Sequence, residues 1–150
     1  MALVRDLLLL LHIIGVGTWL GANLMQAFVG AKLMANRETA PGWLRAVEKA
    51  SRPLYGGASG LLLISGIILV IISDGAYRFS SLFVTIGFAV VIIGGALAGL
   101  VFGRKTKQMI GLYDSGQDAQ VPAIYRSLST WGIIDFLLIV VAILAMVSKW

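Results

Sequence analysis

The sequence predicts an all-α integral membrane protein, an antiparallel four-helix bundle, on three observations. Of its 150 residues 59% are hydrophobic and 13% charged, whereas an ordinary soluble domain carries about 25% charged residues. The mean hydropathy is +0.93. The apolar residues gather into four segments, at about residues 4–33, 54–73, 80–103 and 131–148, each long enough for a hydrocarbon core of about 30 Å. None alternates in the manner of a barrel strand, and backbone groups in lipid then need helical partners.

The first segment opens with "LLLLLHIIGVGTWLGANLMQAF" and runs on to Lys32 without a cleavage pattern. It reads as an uncleaved anchor rather than a signal peptide, whose apolar stretch is shorter. The connection "MANRETAPGWLRAVEKASRP" holds a turn at Pro41-Gly42. Its "WLRAVEKA" reads as a short amphipathic helix lying on the membrane surface. The second and third segments join through the tight turn "SDGAYRF". After the third segment, "GRKTKQMIGLYDSGQDAQ" extends the helix and then loops around residues 114–120. The four segments and their connections form a single membrane domain over residues 1–150, with no room for another.

Charge orients the bundle. Nine of the twelve basic residues lie in the two long connections: Lys32, Arg37, Arg45, Lys49, Arg52, Arg104, Lys105, Lys107 and Arg126. Arg5, Arg78 and Lys149 lie on the other side. The positive-inside rule puts the long connections in the cytoplasm and both termini outside. The expected setting is a cell membrane, a bacterial cytoplasmic membrane, crossed several times. The net charge of +5 is thereby topological and does not mark a nucleic-acid partner.

With no cysteine in the chain, disulfides and thiolate metal sites are excluded. No phosphate-binding glycine loop, hydrolytic triad or HExxH pattern occurs. The glycines pair instead as GxxxG steps: Gly17 with Gly21, Gly56 with Gly60, and Gly95, Gly99 and Gly103 in succession. Such ridges allow close helix approach, within the chain or toward a second copy or a partner membrane protein.

Polar side chains at membrane depth are costly and therefore informative. In the first segment His12, Gly15, Trp19, Asn23, Gln26 and Gly30 share one stripe facing the bundle interior. With a rise of about 1.5 Å per residue, His12 lies roughly 7 to 8 Å below the outer boundary, and Asn23 and Gln26 roughly 24 to 29 Å below it. Asp135 enters from the opposite side, so it is level with Asn23 and not with His12. An inner polar cluster of Asn23, Gln26 and Asp135 is expected, with Tyr55 and Ser59 within reach.

His12, the only histidine, has no carboxylate or second imidazole at its level. A bare zinc or copper ion needs three or four ligands, whereas a haem iron needs one imidazole from the chain. Haem b on His12 is thus favoured over a bare metal ion, with Met146 a possible soft ligand in the same half of the bundle. A structural role for the imidazole, hydrogen-bonded to a serine, tyrosine or carbonyl, stays open.

The stretch "LLLHIIGVGTWLGANLMQAFVGAKL", with His12, Trp19 and Gly21, resembles the first helix of small four-helix membrane proteins related to the copper-resistance D-like domain and to the HemJ-type protoporphyrinogen oxidases. "RPLYGGASG", with Arg52, Leu54 and Tyr55, is similar to the entry of the second helix in the HemJ type. "WGIIDFLLIVV" places Asp135 where that type carries an acidic residue. The resemblance implies haem held by the first-helix histidine, His12, with Trp19, Arg52 and Tyr55 as further cofactor-binding residues. Three functions remain open at this point: a haem-binding redox or haem-handling module, a structural or accessory subunit of a membrane complex, and a small proton or ion transporter using Asp135.

Overall fold

Proline and glycine lie at the π turns of these helices without ending them. The computed structural model describes residues 2–148, apart from the side chain of Arg52. Among these residues it contains no strand and four long helices: α1 (Ala2–Met34), α2 (Ala40–Ile71), α3 (Leu82–Asp114) and α4 (Asp118–Ser148). Each is long and apolar enough to cross a membrane, which by length and composition makes the chain a multi-pass membrane protein.

α2 begins earlier than its apolar stretch. Pro41 falls in its first turn rather than in a turn between elements, where a missing N–H costs nothing. "WLRAVEKA" is correspondingly the start of α2 and not a separate helix lying on a surface. An interior proline would clash with the carbonyl one turn back. At Pro53 the helix widens into a π turn, Arg52–Gly56, and continues. α1 and α3 carry π turns of their own at Gln26–Gly30 and Ala98–Gly103.

α1 packs most extensively on α2, and α3 on α4, with further contacts between α1 and α4 and between α2 and α3; the arrangement is compatible with a four-helix bundle. Trp19, Leu62, Val90, Ile139 and Ala142, drawn from all four helices, form the main core. Leu44, Met109 and Val121 form a second core at the basic end of the molecule, flanked by Met34, Tyr113 and Tyr125. The apolar face of "WLRAVEKA" is explained by that second core: Leu44 is 3% exposed and Met109 fully buried. Two surface ion pairs, Arg37 with Asp118 and Arg45 with Asp114, tie α2 and the loop before it to the α3–α4 junction.

At the opposite end the tight turn after α2 is held by Ser73, whose hydroxyl accepts from the Tyr77 amide at 3.1 Å. Asp74 and Gly75 take the left-handed backbone there, with φ of 51° and 82°. The GxxxG ridges do not pack the chain against itself. A Cβ at Gly17, Gly21, Gly56, Gly60, Gly95 or Gly99 would have no neighbour within 4 Å.

The two stabilising devices at the basic end differ in strength. Leu44→Ala removes a buried side chain and is expected to cost about 2–5 kcal/mol. Arg45→Ala, which breaks an ion pair exposed by more than half on both partners, is expected to cost less than about 1 kcal/mol. Thermal unfolding of the two variants in one detergent compares them directly.

Candidate functional site

The interior stripe of α1 runs through two places of different chemistry. Nearer the basic end, Asp135 of α4 is 1% exposed and is gripped by α1. Trp19 Nε1 donates to its Oδ2 at 3.0 Å, and Asn23 Nδ2 donates to the same oxygen at 2.9 Å. Asn23 also donates to the Trp19 carbonyl at 3.3 Å. The second carboxyl oxygen, Oδ1, is buried without a hydrogen-bond partner among the described residues.

The clasp depends on a glycine in α3. The Trp19 ring lies so close to Gly94 that a Cβ there would overlap ring carbons Cζ2 and Cη2, and it would also stand 3.2 Å from Asp135 Oδ1. α3 therefore approaches with backbone alone, and the indole fills the space a side chain would take.

Toward the other end, the four helices line a half-open cavity of about 460 Å³. Its lining includes Arg5, His12, Val16 and Trp19 from α1, Leu62, Gly66 and Leu69 from α2, Val84 and Gly87 from α3, and Ile139, Ala142 and Met146 from α4, with Tyr77 of the α2–α3 turn. This volume falls within the range of about 300–1,000 Å³ of small-molecule and cofactor sites, which are likewise mostly apolar. Trp19 belongs to both places: its ring lines the cavity and its N–H holds Asp135.

His12 has a partner in the chain after all. Its Nδ1 lies 2.9 Å from Ser65 Oγ. The Ser65 hydroxyl donates to the Leu61 carbonyl of its own helix, so its oxygen is left to accept from the imidazole. That assigns the proton to Nδ1 and leaves the lone pair on Nε2; the Leu62 backbone also hydrogen-bonds the ring. Gly66 lets the ring pass, a Cβ there meeting His12 Cε1 at 3.3 Å.

Of the residues singled out from the sequence, Asn23 and Asp135 meet as expected, and His12 faces the cavity. Trp19 joins the carboxylate clasp as well as the cavity. Gln26 and Tyr55 make no hydrogen bond to Asp135 and instead line a smaller cavity of about 140 Å³ with Trp43. Tyr55 still stands within electrostatic reach of the carboxyl. The Arg52 side chain lies outside the described residues. Ser65 and Gly94 were missed, although a serine and a glycine within apolar helices are the available signals for a hydrogen-bond partner and a close approach. Among the described residues no three His, Cys, Asp or Glu side chains are grouped to hold a metal ion.

No family model matches the sequence, and no curated protein or solved structure shows significant similarity to it.

Neighbouring glycines of α3 provide a controlled comparison. Gly94→Ala forces the Trp19 ring away from Asp135 and is expected to cost about 1–3 kcal/mol, the usual range for overpacking. Gly95→Ala, whose added methyl meets nothing within 4 Å, is expected to leave stability within about 0.5 kcal/mol. Thermal midpoints, with tryptophan fluorescence as a second signal for Gly94→Ala, test the pair.

Proposed function

We propose that the protein is a membrane-embedded haem-binding module, an antiparallel four-helix bundle with both termini outside, that holds haem b through His12. The observation that carries this reading is the pairing of an imidazole oriented through Nδ1 by Ser65 with a mostly apolar cavity of about 460 Å³ between the helices. Haem needs one imidazole from the chain, and apolar walls suit its macrocycle. A ligating histidine donates its other ring N–H to a second group that fixes its orientation; Ser65 stands in that position for His12. Met146 and Arg5 line the same cavity, and the Arg5 guanidinium would offer a cation to a carboxylate of the macrocycle.

Haem bound there would supply one-electron or oxygen chemistry. The chain's residues would supply the ligand, its orientation and an apolar surround. A redox or haem-handling role is the corresponding function, and relationship to the copper-resistance D-like and HemJ-type proteins is part of the same proposal. The distribution of Lys and Arg supports the orientation, with the second core on the cytoplasmic side.

Purified protein is expected to show a Soret band that His12→Ala abolishes. Ser65→Ala, which removes only the orienting partner, is expected to weaken haem affinity about 10- to 100-fold while keeping the band at high haem concentration. A wild-type protein that stays colourless after haem is added overturns the reading.

A further inference from the structure

The Asp135 carboxyl sits in an arrangement that an anion tolerates poorly. It is 1% exposed in the interior of a bundle whose outer face is apolar. Both of its hydrogen-bond donors, Trp19 Nε1 and Asn23 Nδ2, are neutral, and both address the same oxygen, Oδ2. Oδ1 receives nothing from the described residues. The described ion pairs are all elsewhere, at Arg5, Arg37 and Arg45.

Among the described side chains, the helices packed around the carboxyl offer it no charge to balance its own. α1 presents Trp19 and Asn23. α3 presents the backbone at Gly94. From α2 the described titratable group within reach is the Tyr55 phenol, neutral in its ordinary state. Desolvation falls on the ionised carboxyl and largely spares the neutral acid, and no described side chain forms an ion pair that would offset it. The donor pattern then places the proton: Oδ2 is already faced by two N–H groups, so the hydrogen belongs on Oδ1.

We propose that Asp135 is a reversible proton-binding site of this protein, carrying its proton on Oδ1 at neutral pH, and that Trp19 links it to the cavity above. The link is geometric. The same indole that donates to Oδ2 lines the cavity, and Gly94 leaves the ring no slack on its α3 side. Whatever fills or empties the cavity acts on the carboxyl through Trp19, and by reciprocity the proton acts on the cavity. This inference does not depend on the cavity's occupant being haem.

Infrared difference spectroscopy of the protein in an ester-free detergent, with the pH stepped and nothing added to the cavity, tests it. Of the seven acidic residues, Asp135 alone is buried; Asp6, Glu38, Glu48, Asp74 and Asp114 are exposed, and Asp118 is partly exposed beside Arg37. A protonated-carboxyl C=O stretch at neutral pH is therefore expected from Asp135 alone. It should fall as the pH is raised, return when the pH is lowered, and be absent in Asp135→Asn. Trp19→Phe keeps an aromatic ring but removes the N–H, and is expected to shift the band. Absence of the band in the wild-type protein, or its persistence in Asp135→Asn, overturns the proton site. A band at an unchanged position in Trp19→Phe overturns the link. The wild-type spectrum decides the first point even where a variant fails to fold, and a Soret measurement on the same protein decides the haem reading separately.

Discussion

Trp19, Asn23 and Asp135 form the contact on which the rest of the bundle depends. A carboxyl this deep needs donors, and α1 supplies two from residues four apart, on one face and one turn from each other. Together they fix the rotation of α1 and its height against α4. His12 stands seven residues before Trp19, two turns away on the same face and about 10 Å along the axis. Once Trp19 is held, His12 must face the same interior. α3 fits against the clasp because position 94 has no side chain. The same indole lines the cavity on the α1 side. Rotation, close approach and cavity thus follow from one buried polar group.

The stripe on α1 was legible because helical periodicity states which residues share a face. Counting the rise from each boundary was enough to pair Asp135 with Asn23 and to separate both from His12. Trp19 as the second donor was not legible, since an indole on an interior stripe serves equally as a cavity wall, and here it serves as both. The partner of His12 was hidden for a different reason. Ser65 belongs to another helix, and its height relative to α1 depends on where α2 starts and on how its π turn at Pro53 adds to its path. Sequence arithmetic along one helix carries no such information. The same limit applies to glycine: a GxxxG step marks a smooth face but not what it meets. Gly94 touches Trp19, whereas its neighbour Gly95 opens a ridge that meets nothing in the chain.

Hydropathy located the apolar spans well and the helix ends poorly. A change from apolar to polar residues reports where lipid would stop, whereas a helix stops when its backbone hydrogen bonding stops. α2 and α4 both begin well before their apolar stretches, with Pro41 and Pro122 near their starts, where proline is compatible with helix. The amphipathic character of "WLRAVEKA" was read correctly as a need for an apolar neighbour. The neighbour is Met109 and Val121 of the adjoining helices rather than a membrane surface. Amphipathicity specifies a face and leaves its occupant to tertiary structure.

The separation of cavity from carboxyl has a mechanistic consequence. Asp135 is not among the cavity's lining residues, while Trp19 is. A ligand in the cavity consequently meets an imidazole, mostly apolar walls and an indole, and the indole is the lining side chain that hydrogen-bonds the carboxyl. Such an arrangement keeps a polar group from competing for the ligand while allowing the ligand to influence it. A fully satisfied carboxyl would serve packing alone, and an apolar residue of similar volume could replace it with little loss. The unpartnered Oδ1 sets Asp135 apart from a simple interhelical clasp. It also leaves one atom in the main core whose state can change without repacking a helix.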